Sequence, residues 1–176
     1  MARETSTTGV EQFFDENELI VSKTDLKGSL IYCNDVFLRL AGYSEAECIG
    51  KPHSMIRHPQ MPRAIFALLW ETIQSGDEIF AYVMNRCKNG DHYWVLAHVT
   101  ASRDLSGSVI GYHSSRRVPD RRILEGQIIP LYRELLGIEQ ASKNRKEGLA
   151  ASLETLKQKL GELGMEYDQF IATLAA

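Results

Sequence analysis

Lys51–Trp70, KPHSMIRHPQMPRAIFALLW, and the stretch from Asn85 to Trp94, NRCKNGDHYW, decide how this chain folds. Pro52, Pro59 and Pro62 break the first dozen residues into a tight loop that carries two histidines and an arginine. Pro62 suits the first turn of a helix, where its missing N–H is not needed, and Gly76 stands just past the helix end near Gln74. Ile65, Leu68, Leu69 and Ile73 recur at helical spacing and predict a core stripe, with Phe66 and Trp70 four apart on its flank. Asn89-Gly90 then joins two runs rich in β-branched and aromatic residues, Ile79–Arg86 and His92–Ser102, as a hairpin. Loop, apolar helix and hairpin in succession predict a small pocket, with polar groups on the loop and the helix closing one side.

Short apolar runs at Leu19–Val21 and Ser29–Cys33 flank a turn signal at Asp25–Gly28 and read as another hairpin. Asn34 or Asp35 can cap a helix holding Val36, Phe37, Leu38 and Leu40, with Gly42 ending it. Ser44 and Glu47 offer a capping box for a second short helix, stopped by Gly50. Asp104–Gly107 is a turn, and Val109–Arg117 supplies a fifth strand. The order β-β-α-α-α-β-β-β predicts an α+β fold, a five-stranded antiparallel sheet with helices gathered on one face.

Three divisions follow: a polar lead-in over residues 1–16, loose or helical, a sheet domain over 17–120, and a helical segment over 121–176. In the last, Ile128–Leu136 is amphipathic with Pro130 near its start. Leu149, Leu153, Leu156, Leu160 and Leu163 take the alternating four-and-three spacing of a coiled-coil seam. About two heptads are too few for an autonomous coiled coil, so packing on its own domain or on a partner is equally allowed. Met165, Phe170, Ile171 and Leu174 mark a final amphipathic segment.

The composition, 44% hydrophobic and 24% charged with net charge −3, is that of an ordinary soluble domain and carries no basic signature of nucleic-acid binding. Arg116, Arg117, Arg121 and Arg122 cluster, and are read as a solvated strand end and linker. Cys33, Cys48 and Cys87 show no C-x-x-C spacing, which suits a reducing compartment. The N-terminus lacks a signal-peptide profile, and no window approaches the roughly 18 apolar residues of a membrane span. A cytoplasmic protein without membrane insertion is expected.

Catalytic patterns are missing. There is no G-x-S-x-G elbow, no G-x-x-x-x-G-K-[ST] or G-x-G-x-x-G loop, and His53 and His58 lie five apart across prolines rather than as a helical zinc pair. No catalytic or metal-ligating residue is assigned, and an enzyme is not expected. A binding site is better supplied. Arg57 can grip a phosphate or carboxylate bidentately, His53 and His58 can donate to a phosphate or ring carbonyl, and Trp70 offers a flat face. Asn34 and Asn85 each offer donor and acceptor to the edge of a heterocycle. Singly, each has a plainer role: a turn histidine, a core tryptophan, a helix cap, a polar strand residue. Together they suit a planar, phosphate-bearing ligand.

The pieces TDLKGSLIYCND, AGYSEAE, GKPHSMIRHPQMP and KNGDHYW resemble the PAS sensory domain of the aerotaxis-receptor family, over residues from about Asn17 to Asp120. That resemblance implies a sheet whose concave face and helices enclose FAD noncovalently, at positions matching Asn34, His53, Arg57, His58, Trp70 and Asn85. It implies a bacterial redox, oxygen or energy-taxis sensor whose flavin state passes to a chemotaxis signalling module. Gln60 departs from the family's Asp in R-H-P-D-M-P. His113 falls where flavin-binding light sensors carry a glutamine facing the ring, and joins the candidate ligand set. The light-sensor adduct motif N-C-R-F-L-Q is absent, and neither Cys33 nor Cys48 stands in its place. Full receptors continue into a membrane anchor and a helix bundle, so a stand-alone sensor signalling to a chemoreceptor module or histidine kinase, or through a homodimer, is expected. Two alternatives remain: a haem-binding PAS oxygen sensor using His53, His58 or His113, and a ligand-free dimerisation or docking module.

Overall fold

The computed structural model describes residues 6–174. Five strands, β1 (Ile20–Thr24), β2 (Leu30–Cys33), β3 (Ile79–Arg86), β4 (His92–Arg103) and β5 (Val109–Arg117), form one antiparallel sheet in the order β2-β1-β5-β4-β3. Helices α1 (Asp35–Ala41), α2 (Glu45–Cys48) and α3 (Arg63–Gln74), with a 3-10 turn at His53–Ile56, fill the crossover between β2 and β3. The expected α+β architecture is therefore observed, with these helices over one face.

Local signals act where the sequence puts them. Asn34 Oδ1 accepts from Phe37 N (3.0 Å) to cap α1, and Gly42 ends that helix at φ 74°. Glu47 accepts from the backbone N and the hydroxyl of Ser44 at the start of α2. The β3–β4 turn places Gly90 at φ 97°, a conformation an L side chain would resist.

The lead-in is neither loose nor helical over its described part. Thr8 N donates to Gly90 O, His92 N to Val10 O and Gln12 N to His92 O, so it runs extended beside the start of β4. Asp91 fastens it, accepting from Thr8 Oγ1 (2.5 Å) and Gln12 Nε2 (2.7 Å). Beyond β5 the chain forms α4 (Arg121–Ile123), a π-turn (Leu124–Ile128), α5 (Ile129–Ala141), α6 (Arg145–Glu162) and α7 (Tyr167–Leu174). The π-turn precedes Pro130, which cannot donate to the carbonyl four residues back, and the helix widens there instead of breaking.

These helices pack on their own chain. Leu156 and Leu160 are buried while Leu163 is exposed, so the leucine seam is spent against α5 and α3. They also cover the edge strand β3, whose outward groups would otherwise be open to pairing. Tyr132 Oη donates to Tyr82 O (2.7 Å), and α7 lies against the same strand. On α5, the Glu139 carboxylate accepts from Arg63 N, Arg63 Nε and Ala64 N, each at 3.0 Å. Pro62, at the cap position of α3, has no side-chain acceptor to offer, so a carboxylate some 75 residues away in sequence supplies the cap. Among the described residues no helix is long and apolar enough to cross a membrane.

Candidate ligand-binding site

Side chains alternate across a strand, so register decides which residues face the helices. On β5, Tyr112, Ser114 and Arg116 pair with Thr24, Ser22 and Ile20 of β1, all on the concave side. Between that face and α3 lies a cavity of about 680 Å³, within the roughly 300–1,000 Å³ typical of small-molecule sites. Phe66, Leu69, Trp70 and Ile73 of α3 wall one side, and Val83, Asn85, Ala97 and Val99 of the sheet wall the other.

Trp70 stands edge-on to Tyr112, with ring centroids 5.5 Å apart at 87°. Its indole also lies against the β1–β2 turn at Gly28. A Cβ there would come 3.0 Å from Trp70 Cη2, and the position has φ 82°, so glycine is needed both for the turn and for the close approach.

Opposite the tryptophan the cavity is polar. Arg116 is 2% exposed, and its Nη2 donates to Ser22 Oγ and to His53 Nε2, both at 2.6 Å. Burial and the neighbouring Arg116 charge push the His53 pKa down to about 3, so the imidazole is neutral and accepts through Nε2. Arg116 Nη1 is buried with no hydrogen-bond partner, and among the described residues no carboxylate forms an ion pair with this guanidinium. Burial also lowers the Arg116 pKa.

Asn85 adds a second unused donor: it is 2% exposed and its Nδ2 has no partner in hydrogen-bond geometry. Tyr93, its register partner on β4, is likewise buried with its hydroxyl unpartnered. Arg57 reaches the cavity from the loop, where its backbone bridges to Asn85 at the β3 edge. Its guanidinium lies 4.0 Å from the Phe66 ring centroid. Burial lowers the Arg57 pKa, Glu139 counters, and Arg63 and Arg145 lower it further.

Of the residues singled out by sequence, His53, Arg57, Trp70 and Asn85 come together around this cavity. Asn34 does not line it; its side chain is committed to Phe37 N, Val21 N (3.0 Å) and Leu19 O (2.8 Å). His58 is buried outside it, its Nδ1 accepting from Gln60 N (3.2 Å) and its ring 5.6 Å from that of His92. Burial first, then His92 and Arg86, lowers its pKa to about 4. His113 borders the cavity through its place on β5, but it pairs with Lys23 and Thr100, one residue out of phase with Ser114. Its side chain therefore belongs to the opposite face, where Lys23 and His98 act on it. Arg116 was hidden inside a basic run: strand alternation buries it and leaves Arg117 exposed. Among the described residues no cluster of His, Cys, Asp or Glu could hold a metal ion.

An apolar slot with one aromatic wall and unsatisfied N–H donors at its polar end can take a flat ring with acceptor atoms on one edge. A five-stranded antiparallel sheet with such a cavity under its helical crossover is the architecture of the PAS class. Residues 30–116 match the PAS fold family, and this part of the chain is a PAS domain. Over 136 residues it is 40% identical to the aerotaxis receptor of Escherichia coli (strain K12), an alignment covering 76% of this chain and 26% of the receptor. It is 25% identical over 103 residues to a nitrogen fixation regulatory protein of Klebsiella oxytoca, covering 58% of this chain and 21% of that protein. This chain thus spans about a quarter or less of the length of these relatives. The light-state structure of the blue-light photoreceptor Aureochrome1 LOV superposes with a TM-score of 0.55 at 20% identity, covering 65% of this chain and 91% of that one. The PAS domain of a protein from Colwellia psychrerythraea gives 0.53 at 21% identity, covering 59% and 88%. At such identities the structural likeness concerns the fold alone.

Proposed function

We propose that this chain is a non-enzymatic redox or oxygen sensor that binds FAD in the cavity between α3 and the sheet. The observation that carries this is the buried Arg116, a guanidinium with no carboxylate partner and one unused N–H edge, set across from Trp70. An unpaired buried cation is costly, and a ligand with electron-rich acceptors would offset that cost. The edge of a flavin ring, with its carbonyl oxygens and ring nitrogens, is such an acceptor, and Asn85 Nδ2 offers a further donor beside it. When bound, the flavin would supply reversible electron transfer. Arg116 and Asn85 would hold a more electron-rich ring edge more tightly, and His53, hydrogen-bonded to Arg116 and in ring contact with Phe37 of α1, would carry that change into the helical crossover.

Output to a chemoreceptor signalling module or a histidine kinase is supported by the likeness to the aerotaxis receptor and to a blue-light-activated histidine kinase (22% identical over 116 residues). The haem alternative lacks a suitable axial ligand: His53 Nε2 is engaged by Arg116, His58 lies outside the cavity, and the His113 side chain is on the other face. The test is the visible spectrum of the purified protein, with the released chromophore identified by mass. A flavin spectrum with FAD released is expected, and Arg116→Met should lower flavin content while leaving the apo-protein at least as stable. A sharp haem band, or a colourless protein that refuses added FAD, would overturn the reading.

A further inference from the structure

The C-terminal extension reaches the cavity. Arg145, Lys146 and Leu149, at the start of α6, stand at its mouth together with Arg57 and Arg63 of the sheet domain. Arg63 ties the two parts, donating from Nη1 to Arg145 O (2.8 Å) while Nε holds Glu139. Gly148, one turn into α6, sets how closely the helix sits: a Cβ there would fall 2.8 Å from Glu139 O and 3.2 Å from Arg63 Nη2.

Arg57, Arg63, Arg145 and Lys146 therefore line the cavity from the loop, α3 and α6, with Lys27 of the β1–β2 turn also lining it, and the nearby carboxylate, Glu139, is occupied by Arg63 and the first amides of α3. Arg63 and Arg145 lie near enough to act on the Arg57 charge unfavourably. The first amides of α6 are not free to bind an anion, because Asn144 Oδ1 accepts from Lys146 N and Glu147 N (3.0 Å each). Any anion at the mouth must be held by side chains. Deeper in the same cavity, Arg116 Nη1 and Asn85 Nδ2 are buried donors without a partner and are available to an occupant.

We infer that Arg145 and Lys146 of α6 complete, with Arg57 and Arg63, a cationic collar for the phosphate groups of the cavity's ligand, so that a diphosphate-bearing ligand fastens α6 across the mouth. This rests on the flavin reading and adds what that reading omits: the ligand bridges the PAS domain and the helical extension. The collar selects a flavin dinucleotide over the unphosphorylated flavin, and occupancy governs how firmly α6 stays docked.

The experiment titrates the full apo-chain with FAD and with riboflavin, at low and raised salt, for the natural sequence and for the double variant Arg145→Gln, Lys146→Gln. Loss of one charge-assisted contact is worth about tenfold in affinity, so FAD should weaken at least that much in the variant. Riboflavin binding should be unchanged, which also reports that the variant is folded. The preference for FAD should shrink with salt. In the natural chain, FAD and not riboflavin should slow trypsin cleavage after Arg145 and Lys146. Unaltered FAD affinity in the variant, or equal losses for both flavins, overturns the collar while leaving the flavin reading standing. A natural chain that binds neither flavin sinks both.

Discussion

Replacing Glu139 by alanine should loosen the whole C-terminal extension, because one carboxylate serves as helix cap, ion-pair partner and inter-helix tie. It accepts from two backbone amides at the start of α3 and from Arg63 Nε, each at 3.0 Å, and its side chain is 3% exposed. Losing a capping acceptor costs about 0.5–2 kcal/mol. Removing an anion from the positive end of a partly buried helix costs up to about 2 kcal/mol more. The Arg63 side chain retains some exposure, so water recovers part of the lost ion pair. The sum is about 1–4 kcal/mol, a Tm decrease of roughly 2–15 °C for a chain of this size. Glu139→Gln keeps one acceptor oxygen but turns an amide toward a donor, and should lose roughly half as much. Urea unfolding followed by circular dichroism, with a thermal melt, measures both. A loss below about 0.5 kcal/mol for alanine would refute the assignment of Glu139 as the cap of α3.

Gly28→Ala should cost about 1–2 kcal/mol from its left-handed backbone alone and should also lower flavin content, since its Cβ would press on Trp70 at 3.0 Å; full flavin loading would show that Trp70 is not held by this turn. Acid should destabilise the protein early. His53 and His58 have folded-state pKa values depressed to about 3 and about 4 from 6.5, so between those values the unfolded chain binds more protons. Their contribution is present above about pH 6.5 and is lost as pH falls toward 3–4, amounting to about 2 kcal/mol for each histidine by pH 5. A urea midpoint constant between pH 6.5 and 5 would contradict the burial of both rings as neutral species.

The fold was legible because its signals are local. Asn89-Gly90 and Asp25–Gly28 mark the hairpins, Asn34 and Gly42 bracket α1, and the spacing of Ile65 to Ile73 draws α3. What escaped is what register and tertiary contact decide. Arg116 and Arg117 look alike as neighbours in a basic run, yet a period of two sends one into the cavity and the other to solvent. The same parity sends the side chain of His113, a candidate for the ring site, to the opposite face. Asn34 was doubly eligible, as cap and as ligand, and the cap holds it. Glu139 carries no motif at all, since nothing near it in sequence says that α3 begins beside it. A buried acidic position in an otherwise amphipathic helix, on a chain whose α3 starts with an uncapped Pro-Arg, is the nearest thing to a signal.

The central pairing of the sheet has a mechanical consequence. Ile20, the first residue of β1, lies opposite Arg116, the second-last residue of β5. The polypeptide thus enters and leaves the sheet through a single doorway, and the arginine that faces the cavity forms one of its jambs. A displacement of Arg116 by the occupant would tug on the incoming lead-in and the outgoing helices at the same moment. On the proposed function the module would work as a cassette: two flanking segments, however different in sequence, would feel one common lever.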